Sequence, residues 1–134
     1  MCLSTENNVV AWRDSLCKYN GHFTGYSKRR HASVATIWDS LWLTTRIASE
    51  KDKIAELTGF GCGTFNNVPV PFVIHGVIKN NDITLEKVMM WNGSQLTCKY
   101  QMREDDESQA ILLSGHQIHG VLRRLNQADN LLPQ

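Results

Sequence analysis

The sequence lacks the features that mark several classes of protein. Its 134 residues contain no apolar run that approaches the length of about 20 residues needed to cross a bilayer, and its first twenty residues are too polar for a signal-peptide core. Its four cysteines form no Cys-x-x-Cys pair, the spacing typical of zinc and redox motifs. We therefore expect a cytoplasmic protein with reduced thiols, no membrane insertion, no bound metal and no cofactor.

Excess charge of one sign is also missing. Lys and Arg total 14 and Asp and Glu total 13, so the formal net charge is +1. Domains that bind nucleic acid generally carry a clear basic excess. The segment Lys28–His31 is basic and has Tyr26 nearby, and phosphate contact is one interpretation of it. We favour a solvated turn, so nucleic acid is not an expected partner.

Apolar residues recur along the chain with two different periods. Val9, Trp12, Leu16 and Tyr19 lie at helical spacing and predict one short amphipathic helix at about 6–19. From about 22 to 125, short segments rich in β-branched and aromatic residues alternate with turn-forming clusters, which predicts a β-meander. Residues 126–134 form a polar tail. The length of 134 residues indicates a single domain, residues 1–134.

The meander has to bury its apolar face. Closure into an antiparallel up-and-down β-barrel of about eight strands does so without leaving strand edges, which makes a mainly-β barrel the expected fold. A sandwich and a sheet covered by the helix are the alternatives. Residues 33–49 form either two strands or one long bent strand. Residues 50–53 form a charged turn before a strand at 54–65, or else residues 50–57 form a helix capped by Gly59.

Five stretches of the chain repeat a strand-turn-strand pattern. They are Leu57–Gly61, Pro71–Val77, Ile83–Lys87, Leu96–Tyr100 and Leu113–Gly120. This alternation, with glycines near strand ends, resembles the small calycin-like barrels, the group that includes lipocalins, fatty-acid-binding proteins and avidins. The resemblance covers about half of the chain. It implies a barrel whose interior suits an apolar ligand, and it implies no catalytic residue.

A row of alternating glycines, Gly59, Gly61 and Gly63, lies on one face of a predicted strand. A phosphate-binding loop is one interpretation, but the row has no P-loop lysine and no helical pattern follows it. Glycines in strands also allow close packing and bending, as at the corners of barrels. We therefore interpret the row as structural.

Residues of the kind used in catalysis are scattered. His116 and His119 are three residues apart and face opposite sides of a strand, so a metal site would require His75 to meet His119 across strands. Cys98 shares a face with apolar neighbours, which favours a buried and inert thiol. With no nucleophile, base and orienting group in one place, the sequence indicates no catalytic residues and favours a non-enzymatic protein.

Alternation places Lys87 in an apolar row, together with Ile83, Leu85 and Met89. A lysine in such a row either extends to a barrel mouth or meets an anion. The functional hypothesis is that Lys87 binds a ligand carboxylate or a partner's C-terminus. The alternative is a residue at the rim that pairs with Glu56 or Glu86.

Trp91 precedes the pair Asn92-Gly93, the strongest short hairpin signal, and is expected at one end of the barrel. An exposed indole there would mark a ligand mouth or a partner surface. The expected function is a non-enzymatic binding module that takes an apolar or amphipathic ligand, or a peptide, at its open end. The alternative is a structural or protein-interaction subunit with a filled core. The expected ligand-binding residues are Trp91, Lys87, Tyr100 and Phe72.

Overall fold

The computed structural model describes residues 2–125, with side chains from residue 9 onward, and contains one helical segment and eight strands. Helix α1 (Cys2–Ser15) continues into a 3-10 helix (Leu16–Tyr19). A helix was predicted at about 6–19, so the observed helical segment ends where expected and begins earlier. The strands are β1 (Gly21–Arg29), β2 (Thr36–Ser49), β3 (Ile54–Phe65), β4 (Val68–Lys79), β5 (Asp82–Trp91), β6 (Ser94–Glu104), β7 (Ile111–Gly115) and β8 (Ile118–Arg124).

The strands form one closed barrel. Each strand pairs antiparallel with the next, and β8 returns to pair with β1 from Phe23 opposite Arg124 to Arg29 opposite Ile118. The predicted mainly-β, eight-stranded up-and-down barrel is confirmed. The expected polar tail, 126–134, lies outside the described residues. Within residues 2–125, no helix combines the length and the apolar character required to cross a membrane.

Both local alternatives left open by the sequence are resolved. β2 is one long strand, and its pairing with β1 slips by one residue, since Trp38 lies opposite Gly25 and Leu41 opposite Phe23. This bulge turns Trp38 and Leu41, three positions apart, toward the interior, where they are 0% and 1% exposed. The helical interpretation of 50–57 is wrong, because a turn precedes β3, which begins at Ile54.

The helical segment covers one end of the barrel. Trp12, Leu16 and Tyr19 are at most 5% exposed and pack with the interior residues. Trp12 Nε1 donates a hydrogen bond to the carbonyl oxygen of Asn80, in the β4–β5 turn, at 2.9 Å. At the opposite end lie the β3–β4 turn and the Asn92-Gly93 turn. The φ angles of Asn92 and Gly93 are 51° and 78°, which fit a type I′ hairpin. We call this opposite end the open end.

The glycine row of β3 packs tightly against its neighbours. A Cβ atom at Gly61 would lie 2.1 Å from the carbonyl oxygen of Ser40 and 3.0 Å from Cζ of Phe72. At Gly63 it would lie 2.4 Å from the carbonyl oxygen of Ile37. The structural interpretation of the row is therefore confirmed: its glycines allow β2 to approach and leave room for the ring of Phe72.

Gly61→Ala tests this packing. The added methyl group must displace backbone of β2, so we expect a loss of about 1–3 kcal/mol in the free energy of unfolding, measured by urea denaturation. Cys62→Ala is the matched control, because Cys62 is exposed on the outer face, and it should change stability by less than about 0.5 kcal/mol. Equal stability of the two variants would contradict the packing role of Gly61.

Candidate functional site

Lys87 lies inside the barrel, on β5, and only 2% of it is exposed. It stands opposite Ile74 of β4 and Cys98 of β6. The predicted alternation is confirmed, because the inward row of β5 consists of Lys87 and the buried Ile83, Leu85 and Met89. The alternative of a rim ion pair is wrong. Glu56 and Glu86 instead pair with Arg46 and Lys99, respectively, on the outside.

Aromatic rings surround the Lys87 ammonium. Nζ lies 4.5 Å from the ring centroid of Trp38 and 5.0 Å from that of Phe72, both within the range of a cation–π interaction. The Tyr100 ring meets Trp38 edge-on at 5.7 Å. Ser27 Oγ accepts hydrogen bonds from Trp38 Nε1 at 3.0 Å and from the Tyr100 hydroxyl at 3.3 Å. We call these five residues the polar layer.

No carboxylate of the described residues lies within 4.0 Å of Lys87, and their four ion pairs are all elsewhere. Burial lowers the pKa of Lys87 to about 8, so the side chain remains mostly charged at neutral pH. Burying an ion costs several kcal/mol, whereas a cation–π contact returns about 0.5–2 kcal/mol. The interior therefore holds a positive charge that its own contacts do not fully compensate.

The Lys87 ammonium is an unpartnered donor inside the barrel. No ion pair among residues 9–125 includes Lys87 Nζ, and its contacts are with the rings of Trp38 and Phe72. Burial raises the pKa of the neighbouring Tyr100, which therefore stays protonated and able to donate. An incoming anion would thus meet an ammonium donor.

Cys98 lies between two cations. Its Sγ is 3.4 Å from Arg29 Nη2, and its cross-strand neighbour is Lys87. The expected core-like environment of the thiol is only partly found, because Cys98 packs against the core but is only partly buried, and Leu96 on the same face is 37% exposed. The cause is the short β7, which pairs with β6 only from Gln101 onward. The wall of the barrel is open beside these two inward-facing residues.

The structure brings together three of the four predicted site residues. Phe72 and Tyr100 join Lys87 around Trp38. Trp91 lies four residues beyond Lys87 on the same strand, about 13 Å away at the usual strand rise. Trp91 is the last residue of β5 and is partly buried, because its indole meets Phe65 edge-on at 4.9 Å.

The sequence reasoning missed two residues of the site, Trp38 and Ser27, and one contact, that of Arg29 with Cys98. Arg29 was noted only as part of a basic turn. The inward rows of β4, β5 and β6 gave no sign of which residues would lie across the barrel from them. That arrangement depends on the bulge in β2 and on the pairing of β1 with β8.

The histidines do not gather. His22 stacks on Trp42 with ring centroids 4.1 Å apart, whereas His75 is exposed on the outside of β4 and His119 meets Tyr26 edge-on. Among the described residues, no group of three or more His, Cys, Asp and Glu is placed to hold a metal ion.

The outer face carries two further features. An exposed apolar row crosses neighbouring strands in register, with Trp42, Phe60 and Val73 exposed by 47%, 64% and 53%. A groove of about 710 Å³ runs over β4 to β7 and includes Lys99 and His116 among its lining residues.

Comparison of the chain with protein families, with curated proteins and with solved structures gives no match. The fold defines the class, a closed eight-stranded antiparallel barrel with one short N-terminal helix. Its function has to be inferred from the residues of the site.

Lys87→Met tests the uncompensated charge. The folded-state pKa of about 8 lies below the ordinary value of 10.5. Below pH 8 Lys87 is protonated in both the folded and the unfolded protein, so the full cost of burying its charge applies. Between pH 8 and 10.5 the folded protein has lost this proton while the unfolded protein keeps it, so the stability of the wild type rises with pH. At about 1.4 kcal/mol per pKa unit, Lys87→Met should be more stable by up to about 3 kcal/mol at pH 7, with a smaller difference at pH 10.

Urea denaturation across this pH range measures the effect. Lys99→Met is the control, because Lys99 is exposed on the outer face and its pairing with Glu86 at 3.7 Å is a surface contact. A Lys87→Met variant that is less stable than wild type by the same amount at every pH would contradict the interpretation.

Proposed function

We propose that this protein is a non-enzymatic, calycin-like binding barrel that takes an amphipathic ligand with an anionic group at its open end. The proposal rests on one observation, the Lys87 ammonium held inside the barrel with no carboxylate of the described residues beside it. A closed eight-stranded barrel covered at one end by a helix supports the calycin-like interpretation.

A ligand carboxylate would supply the charge that the interior lacks. Hydrogen bonds to charged groups contribute about 1.5–3 kcal/mol each, which makes Lys87 an effective anchor for an anion in a site sheltered from water. Arg29 stands on the way in, where its guanidinium contacts Cys98. A ligand passing this point would meet the two cations in succession.

The apolar part of the ligand would lie toward the open end. Leu96 is exposed although it shares the inward face of β6, and Trp91 and Phe65 pack together at the same end of the barrel. The separation of about 13 Å between Lys87 and Trp91 along β5 suits a molecule with one charged end and an apolar body. The expected ligand contacts are therefore Lys87, Tyr100, Phe72 and Trp91.

The second candidate function is a structural or protein-interaction subunit. Two observations favour it: Trp38, Leu57 and Leu122 face the interior and are 0% exposed, and the outer row of Trp42, Phe60 and Val73 is apolar. Exposed apolar rows of this kind commonly mark contacts with other proteins. In this case the partner would bind on the outside of β2 to β4.

Calorimetric titration with decanoate and with decanol tests the ligand proposal. The two probes share an apolar chain and differ in charge, so at pH 7 we expect wild-type protein to bind decanoate at least tenfold more tightly than decanol. Lys87→Met should remove this preference, because it removes the cation and keeps the apolar stem. Lys99→Met should retain it.

The same titrations separate the two functions. Absence of saturable binding for both probes would contradict the binding barrel and leave the filled-core subunit as the better candidate. Binding of decanoate with equal strength by wild type and Lys87→Met would also contradict the proposed role of Lys87.

A further inference from the structure

One strand of the barrel has a free edge. β6 pairs with β5 from Ser94 to Met102, but it pairs with β7 only from Gln101 to Glu104. β7 ends at Gly115, and the chain turns back into β8 at once. Among residues 2–125, the segment Ser94–Cys98, which we call the free edge, therefore has a paired strand on one side only.

Side-chain exposure agrees with this register. In β4, buried and exposed residues alternate from Val70 to Lys79, as expected for a wall with one covered face. In the free edge, the residues from Ser94 to Thr97 are all exposed, so both faces are open there. A missing neighbour accounts for this exposure, because an additional strand would cover Leu96 and Cys98.

The backbone groups of the free edge point into the gap. The two-residue turn Asn92-Gly93 makes Trp91 and Ser94 a hydrogen-bonded pair, and every second residue of an antiparallel strand faces the same neighbour. Gln95, Thr97 and Lys99 therefore turn their N–H and C=O groups away from β5. The gap ends at Lys99, because a Cβ atom at Gly115 of β7 would lie 2.4 Å from the Lys99 carbonyl oxygen, so β7 already covers that group.

Cations border this gap. Arg29 reaches Cys98 across it, and the backbone of Arg30 binds the carbonyl oxygen of Gln117 in the β7–β8 turn at 2.7 Å. Lys99 projects from β6 on the outer side, where it pairs with Glu86, and both line the groove together with His116. Arg29 has no carboxylate partner among residues 9–125, so a net positive charge remains beside the gap, which favours acidic residues in the occupant.

We propose that the free edge of β6 binds an extended acidic segment of a partner protein, which adds to the barrel as a further strand. Main-chain hydrogen bonds to Gln95 and Thr97 supply affinity in strand addition of this kind, and alternate side chains supply specificity. A second copy of this chain is a poorer occupant, because its own free edge carries the same cations. The inference is independent of the ligand proposal, since it rests on strand register and not on Lys87.

Two synthetic peptides test the proposal. Each peptide is nine residues long, is blocked at both ends and carries a fluorescein label. In one peptide valine and threonine alternate with three glutamates, and in the other three lysines replace the glutamates. Fluorescence anisotropy should detect binding of the glutamate peptide at least tenfold more tightly than that of the lysine peptide. Absence of binding by the glutamate peptide, or equal binding of both, would overturn the proposal.

Thr97→Pro and Thr97→Val form the matched variant pair. Proline removes the N–H that faces the gap but no hydrogen bond to β5, so the fold should persist, which circular dichroism checks. We expect Thr97→Pro to weaken binding of the glutamate peptide at least tenfold and Thr97→Val to retain it. Decanoate binding should be unchanged in both, which separates this proposal from the ligand site.

Amide hydrogen exchange gives a readout that does not depend on affinity. The amides of Gln95 and Thr97 should exchange rapidly in the free protein and slowly when the glutamate peptide is bound. Protection of both amides in the free protein would overturn the free edge itself. A dimer in light scattering that Thr97→Pro dissociates would identify a second copy as the occupant and overturn the acidic partner.

Discussion

Hydrogen bonding between β1 and β8 closes the sheet, and the arrangement of the interior follows from that closure. In a closed barrel the register of each strand decides which residues face inward, and a slip of one residue would expose the whole inward row. Lys87 cannot leave the interior by such a slip without also exposing Ile83, Leu85 and Met89. Three buried apolar side chains, at about 1.5–3 kcal/mol each, outweigh one buried charge, which explains how the fold tolerates Lys87.

The two ends of the barrel differ because of two local features. Trp12, Leu16 and Tyr19 fill the end where β3 begins, and the Trp12 indole is fixed by its hydrogen bond to Asn80. At the other end β7 stops at Gly115, so it covers only the last part of β6. The short β7 has two consequences: Leu96 and Cys98 become accessible from the side, and the backbone of β6 is left with one paired neighbour. Access to the polar layer and the free edge therefore have the same origin.

Much of the fold was predictable because the hairpin turns are local. Asn92-Gly93 fixes the register of β5 on β6, so alternation alone placed Lys87 and Tyr100 on the inward face. Trp38 is different, since its contact with Lys87 depends on the bulge in β2 and on strands that are distant in sequence. The accessibility of Cys98 depends on where β7 stops, and the partial burial of Trp91 depends on Phe65 from another hairpin. The contact of Trp38, the accessibility of Cys98 and the partial burial of Trp91 all depend on pairing between distant strands. Such pairing leaves no local pattern in a single sequence, so these three features could not be predicted.

The near-neutral composition conceals a strong local arrangement of charge. The formal net charge is +1. Of the four ion pairs among residues 9–125, those of Arg13, Lys18 and Arg46 lie away from the gap, and the fourth joins Lys99 to Glu86 beside it. Around the gap the cations lie in sequence from outside to inside: Lys99 on the wall, Arg29 at Cys98, and Lys87 in the polar layer. Charges within a few ångströms of a sheltered site act more strongly than net charge, because water and salt screen them less. The proposed recognition of an anion would therefore depend on the placement of Arg29 and Lys87, which have no carboxylate partner among residues 9–125, and not on the composition of the whole chain.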